Sequence, residues 1–159
     1  MKFEPRRGDT SSEAAVCMKT KKNKEETGFL NVDPDIYSRS NLEALAAALS
    51  RKTFVLYVGR QGNRYCAHFE MTALPKNADA TIRGLAALIR ALPRSVRRLW
   101  DGAKTREFNI GLQAASLGRP IEVRLPPETI HDVASLGGQL AITSRLARAK
   151  SETIIRRRS

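Results

Sequence analysis

The sequence predicts an α+β fold: a mostly antiparallel sheet of about six strands, with three or four helices packed on one face. Three observations lead there. Hydrophobic periodicity alternates between the strand and helix repeats along residues 29–144. Two pairs of strand-like runs are joined by short turn segments, Gln61-Gly62-Asn63 and Leu117-Gly118-Arg119-Pro120. The resulting order is strand, helix, hairpin, helices, hairpin, helix, strand, and no sequence repeat accompanies its apparent symmetry.

Each element has a local cause. Phe29–Tyr37 reads as a first strand in which Pro34, lacking an N–H, marks an edge or a bulge. Ser40-Asn-Leu-Glu43 has the spacing of a capping box. Leu42, Leu45, Ala46 and Leu49 then repeat with helical spacing. Thr53–Gly59 and Arg64–Thr72 are rich in β-branched and aromatic residues and form the first expected hairpin. In its second strand Tyr65, Ala67, Phe69 and Met71 alternate with Cys66, His68 and Glu70.

Asp79 is placed to cap a helix from Ala80 to about Leu92, with Ile82, Leu85, Ala86, Ile89 and Leu92 on its apolar side. Beyond Pro93 the residues Val96, Leu99 and Trp100 keep nearly the same phase, so a kink or two successive helices is expected. Arg106–Ala114 and Ile121–Leu125 form the second expected hairpin. Pro127 and Glu128 suit the first turn of a helix whose apolar residues are Ile130, Val133 and Ala134 and which Gly137-Gly138 ends. Gln139–Thr143 is a last short strand.

The domain spans residues 29–144, between a flexible polar segment at 1–28 and a basic tail at 145–159. The 42% hydrophobic content supplies a core, while the longest apolar run, Thr53–Gly59, is far too short to cross a membrane. The two cysteines, Cys17 and Cys66, lie far apart, and no CxxC pair accompanies His68 and His131, so neither a disulfide staple nor a metal site is expected. Met1–Asp9 is charged and no apolar stretch of a signal peptide follows, which points to the cytoplasm.

The net charge of +12 directs attention to anionic partners. Residues 29–144 carry fifteen Lys/Arg against ten Asp/Glu, and the last fifteen residues carry six against one. At 100° per residue Arg83, Arg90, Arg94 and Arg97 share one side of the 80–100 segment, with Arg98 beside them, opposite the apolar side. Arginine forks match carboxylate and phosphate oxygens, which makes this ridge the leading candidate surface. Arg60 and Arg64 flank the first hairpin turn and Arg119 sits at the second. No aromatic residue is interleaved on the ridge to stack bases, so a protein partner is favoured over nucleic acid. A nucleic-acid role would draw on the arginine ridge together with the tail, through Arg145, Arg148, Lys150, Arg156, Arg157 and Arg158.

Catalytic patterns are thin. His68-Phe69-Glu70 is the first half of a zinc-deaminase signature, but the PCxxC half is missing. An enzyme built on His68 and Glu70 remains a third reading, with no cofactor implied. His131-Asp132 reads as a polar surface pair, without the GxSxG turn of a hydrolase nucleophile.

Asn31–Ser38, Phe54–Gly59, Ala78–Ile82, Leu99–Asp101, Phe108–Gly111 and Pro127–Thr129 together resemble a family of small uncharacterised bacterial α+β proteins, a domain of unknown function. The resemblance covers about residues 31–143. It implies a compact α+β domain in a bacterial protein and transfers no activity.

Overall fold

A computed structural model describes residues 27–73, 77–115 and 120–146. The elements run β1 (Gly28–Ser38), α1 (Glu43–Leu49), β2 (Thr53–Gln61), β3 (Arg64–Met71), α2 (Ala78–Arg90), α3 (Arg94–Asp101), β4 (Thr105–Ala114), α4 (Pro127–Ser135) and β5 (Gln139–Leu146). They form an α+β domain around one five-stranded sheet in the order β2-β3-β1-β4-β5. Three neighbouring pairs are antiparallel, whereas β4 and β5 are parallel.

The parallel pair corrects the expected second hairpin. Residues 120–126 form no strand, and β4 pairs instead with β5, from Glu107 opposite Gln139 to Ala114 opposite Leu146. Ile121–Leu125 alternates like a strand because Val123 and Leu125 pack partly buried against the core, without any sheet ladder. Parallel strands need a long crossover, and α4 supplies it. β5 also extends to Leu146, so Arg145 belongs to the sheet and not to a tail. Arg119, Arg148, Lys150, Arg156, Arg157, Arg158, Cys17 and the rest of the 1–26 segment lie outside the described residues.

β1 is the central strand, which overturns the reading of Pro34 as an edge marker. Pro34 stands immediately before the β1–β3 ladder of Asp35–Ser38, where a missing N–H breaks no pairing with β3. The irregularity in β1 falls between Phe29 and Asn31 instead. Val32 and Ile36 face the helices, while Asn31, Asp33, Asp35 and Tyr37 occupy the other side. All four helices contribute to one apolar cluster with that inner face: Leu45 and Leu49 from α1, Ile82, Leu85 and Ile89 from α2, Trp100 from α3 and Val133 from α4.

The first hairpin forms as expected, with Gly62 at φ +59° at the position where a two-residue type II′ turn requires glycine. Two caps differ. Asn41 Oδ1, not the Ser40 hydroxyl, accepts the Glu43 N–H at 2.7 Å, and Asn77 Oδ1, not Asp79, accepts the Ala80 N–H at 2.9 Å. Asp79 is instead used by Thr129, whose hydroxyl donates to its carboxylate. That bond allows Thr129 to be buried in the inner face of α4 with Val133, and leaves Ile130 and Ala134 exposed.

Past α4, Gly138 N–H donates to Val133 O and Gly137 N–H to Ala134 O, the paired bonds of a Schellman motif with Gly137 at φ +64°. Trp100, on the apolar phase expected from sequence, and Phe108 are both buried and meet edge-on at 6.1 Å. The Trp100 indole N–H donates to Leu136 O at 3.0 Å.

Candidate functional site

The predicted arginine ridge is divided by Pro93 into two helices, and its members fare differently. The apolar side of α2 is buried, so Arg83 and Arg90 emerge on the outside. Arg90 then bends to α4: its Nη2 donates to Asp132 Oδ1 at 2.5 Å and to Ser135 Oγ at 3.1 Å. That hydrogen bond, with the charges of Arg90, Arg83 and His131, holds the Asp132 carboxyl below its usual range. On α3, Arg97 Nε donates to Asp101 Oδ1 at 2.9 Å across one helical turn. Arg83, Arg94 and Arg98 are exposed and make no side-chain hydrogen bond among the described residues. Of the five helix arginines, three are therefore left without a side-chain hydrogen bond among the described residues.

The hairpin arginines part company as well. Arg60 folds back on its own turn, with Nε donating to Gly62 O at 3.0 Å. Arg64 lies over the Tyr37 ring, 4.4 Å from its centroid. There it borders a cleft of about 490 Å³ at the end of the sheet, lined by Tyr37, Ser38, Arg39, Asn63, Arg64 and Lys104 among others. Three segments distant in sequence converge on it: the end of β1, the β2–β3 turn and the α3–β4 connection. Lys104 is held in place by its N–H, which donates to Tyr37 O at 2.8 Å. Burial, followed by the charge of Asp35, raises the Tyr37 phenol above its usual pKa, so its hydroxyl is kept as a donor.

Compared with protein-family models, curated proteins and solved structures, the chain finds no significant match.

The outer face of the sheet gathers what the sequence scattered. His68 Nδ1 donates to Asp35 Oδ1 at 2.5 Å, and the Tyr37 and Tyr57 rings lie 5.8 and 5.9 Å from the imidazole. Asn31 Nδ2 bridges Asp33 Oδ1 and Glu70 Oε1, at 2.9 and 3.1 Å. Burial, then the charges of Glu70 and Asp35, push Asp33 up to about 6 against the opposing charge of Arg145. Cys66 shares this face, but burial pushes its thiol up and its Sγ is turned to Gly59 O, 3.7 Å away. The arrangement orients one imidazole beside an unactivated thiol. Among the described residues no three His, Cys, Asp or Glu are disposed to hold a metal ion.

The alternation of β1 already sets Asn31, Asp33 and Asp35 on one face. Their meeting with His68 and Glu70 depends on β1 pairing with β3, a partner 33 residues away at Asp35 and His68. Arg39 and Lys104 had no signal of their own, since each is a lone cation in a connection.

Proposed function

We propose that the chain is a non-enzymatic binding domain that engages an acidic protein partner through its basic outer helical surface. The observation that supports this reading is the contrast among the helix arginines. Arg90 and Arg97 are hydrogen-bonded to carboxylates of the chain itself, whereas Arg83, Arg94 and Arg98 present exposed guanidinium forks with no such bond among the described residues, the charge of Arg83 reaching Asp132 only through space. Exposed forks pair with an incoming carboxylate without first breaking an internal bond.

The test is a triple charge reversal, Arg83→Glu, Arg94→Glu and Arg98→Glu, with polyglutamate as the acidic probe in a fluorescence anisotropy titration. Because these side chains oppose the core, the melting temperature should change little. Polyglutamate affinity should fall at least about tenfold, as expected for losing several charge-assisted hydrogen bonds. Unchanged affinity would sink the reading. Tight binding of duplex or single-stranded DNA at physiological salt, without polyglutamate binding, would replace it with a nucleic-acid role.

A further inference from the structure

The cleft at the end of the sheet goes beyond the helix-arginine reading and does not depend on it. Several charged side chains elsewhere among the described residues are internally paired. Arg90, Arg97 and Arg124 each hold a carboxylate, and His68 holds Asp35. The cleft instead collects Arg39, Arg64 and Lys104 with no Asp or Glu in its lining. Among the described residues none of the three has a side-chain hydrogen bond or an ion pair, and Arg64 is held only by the Tyr37 ring. Like charges gathered in one concavity repel, and an anion between them relieves that repulsion.

The remaining lining groups are suited to donation. Ser38 is buried, and its hydroxyl oxygen already accepts the Ser40 N–H at 3.0 Å, leaving the hydroxyl proton to give. Tyr37 adds a phenol and Asn63 an amide. A donor-rich, carboxylate-free cleft suits an oxyanion with several acceptor oxygens, and the guanidinium fork suits phosphate in particular. The volume of about 490 Å³ is that of a small-molecule site and exceeds the needs of a bare ion.

We infer that this cleft binds a phosphorylated small molecule of about nucleotide size, with the phosphate held between Arg39, Arg64 and Lys104.

The experiment is isothermal titration of the full chain with ADP and with glucose 6-phosphate, against adenosine and glucose as phosphate-free controls. At least one phosphorylated probe should bind and its control should not. Lys104→Gln and Arg39→Gln remove cations that hold no internal bond, so the fold should survive each change. Each should weaken the bound probe about tenfold, the cost of one charge-assisted contact. Arg64→Glu should abolish binding. The triple variant at Arg83, Arg94 and Arg98 should bind the probe like the parent, which separates this site from the helical surface. The inference fails if neither phosphorylated probe binds at millimolar concentration, or if a control binds equally. It also fails if binding survives the cleft variants, or if only a 5′-phosphorylated oligonucleotide is taken.

Discussion

Asp33 illustrates how one residue can bear a cost that its neighbours impose. Its carboxyl titrates near 6 in the folded chain because it is part-buried beside Glu70 and Asp35. The folded form therefore holds its proton more tightly than the unfolded one, whose carboxyl has the ordinary value of 3.8. The stability this lends is complete below the unfolded value and is lost as pH rises through about 6. Asp33→Asn removes the charge and can still accept from Asn31. We expect the variant to be more stable at pH 8 by about 1 kcal/mol, a figure reduced for solvent screening at a half-exposed group. Urea denaturation at pH 4 and pH 8 would check it: the parent should lose stability across that interval relative to the variant. Equal pH profiles would show that Asp33 carries no such cost. Gly138 tests packing at the same scale. A Cβ there would stand 2.7 Å from Phe108 Cε2 and 3.1 Å from Val133 Cγ1, both in the core. Gly138→Ala should cost about 1–3 kcal/mol in the same assay.

Among the elements, the end of α3 and the end of α4 are joined by a residue whose role has no local sequence signal. Arg106 enters β4 and spans both termini: its Nε donates to Gly137 O at 2.9 Å, and its Nη1 to Trp100 O at 3.2 Å and Asp101 O at 2.7 Å. These are carbonyls at the ends of two helices, where a cation also meets the negative end of each dipole. Arg106→Ala should destabilise by about 1–3 kcal/mol, and Arg106→Lys should recover little, since one ammonium cannot reproduce the fork. Full recovery by lysine would reduce the role of Arg106 to charge alone. The same elements mark where periodicity is informative. The burial of Leu42, Leu45, Ala46 and Leu49 was legible because a helix repeats its own pattern locally. So was the first hairpin, whose register follows from a two-residue turn. The parallel β4–β5 pair was not legible, because alternation reports which side chains face the core and not which strand supplies the hydrogen bonds. Val123 and Leu125 alternate and pack, yet belong to no ladder. The candidate surfaces divide in the same way. Helical phase located the arginines, but only the fold revealed that Asp132 takes Arg90 and that Arg39, Arg64 and Lys104 meet.

At the scale of the whole molecule, the net charge of +12 is partitioned by structure as well as by sequence. Arg145 belongs by sequence to the basic tail, but it ends up on the outer face of β5, where its charge acts on Asp33. A truncation that tests the tail must therefore spare the strand and stop after Leu146. Residues 147–159 contain five Lys/Arg and one Asp/Glu, so their removal lowers the net charge by four. If nucleic acid were held mainly through these residues, the slope of log affinity against log salt would fall by nearly one for each phosphate that the tail neutralises. The protein-partner reading makes the opposite prediction. Truncation after Leu146 should leave polyglutamate binding close to that of the parent, while reversal of Arg83, Arg94 and Arg98 weakens it at least about tenfold. Salt titrations of both variants against both polymers separate the two, because each reading assigns the loss to a different variant. A truncated chain that loses polyglutamate binding while its melting temperature holds would move the acidic-partner surface from the helices to the tail.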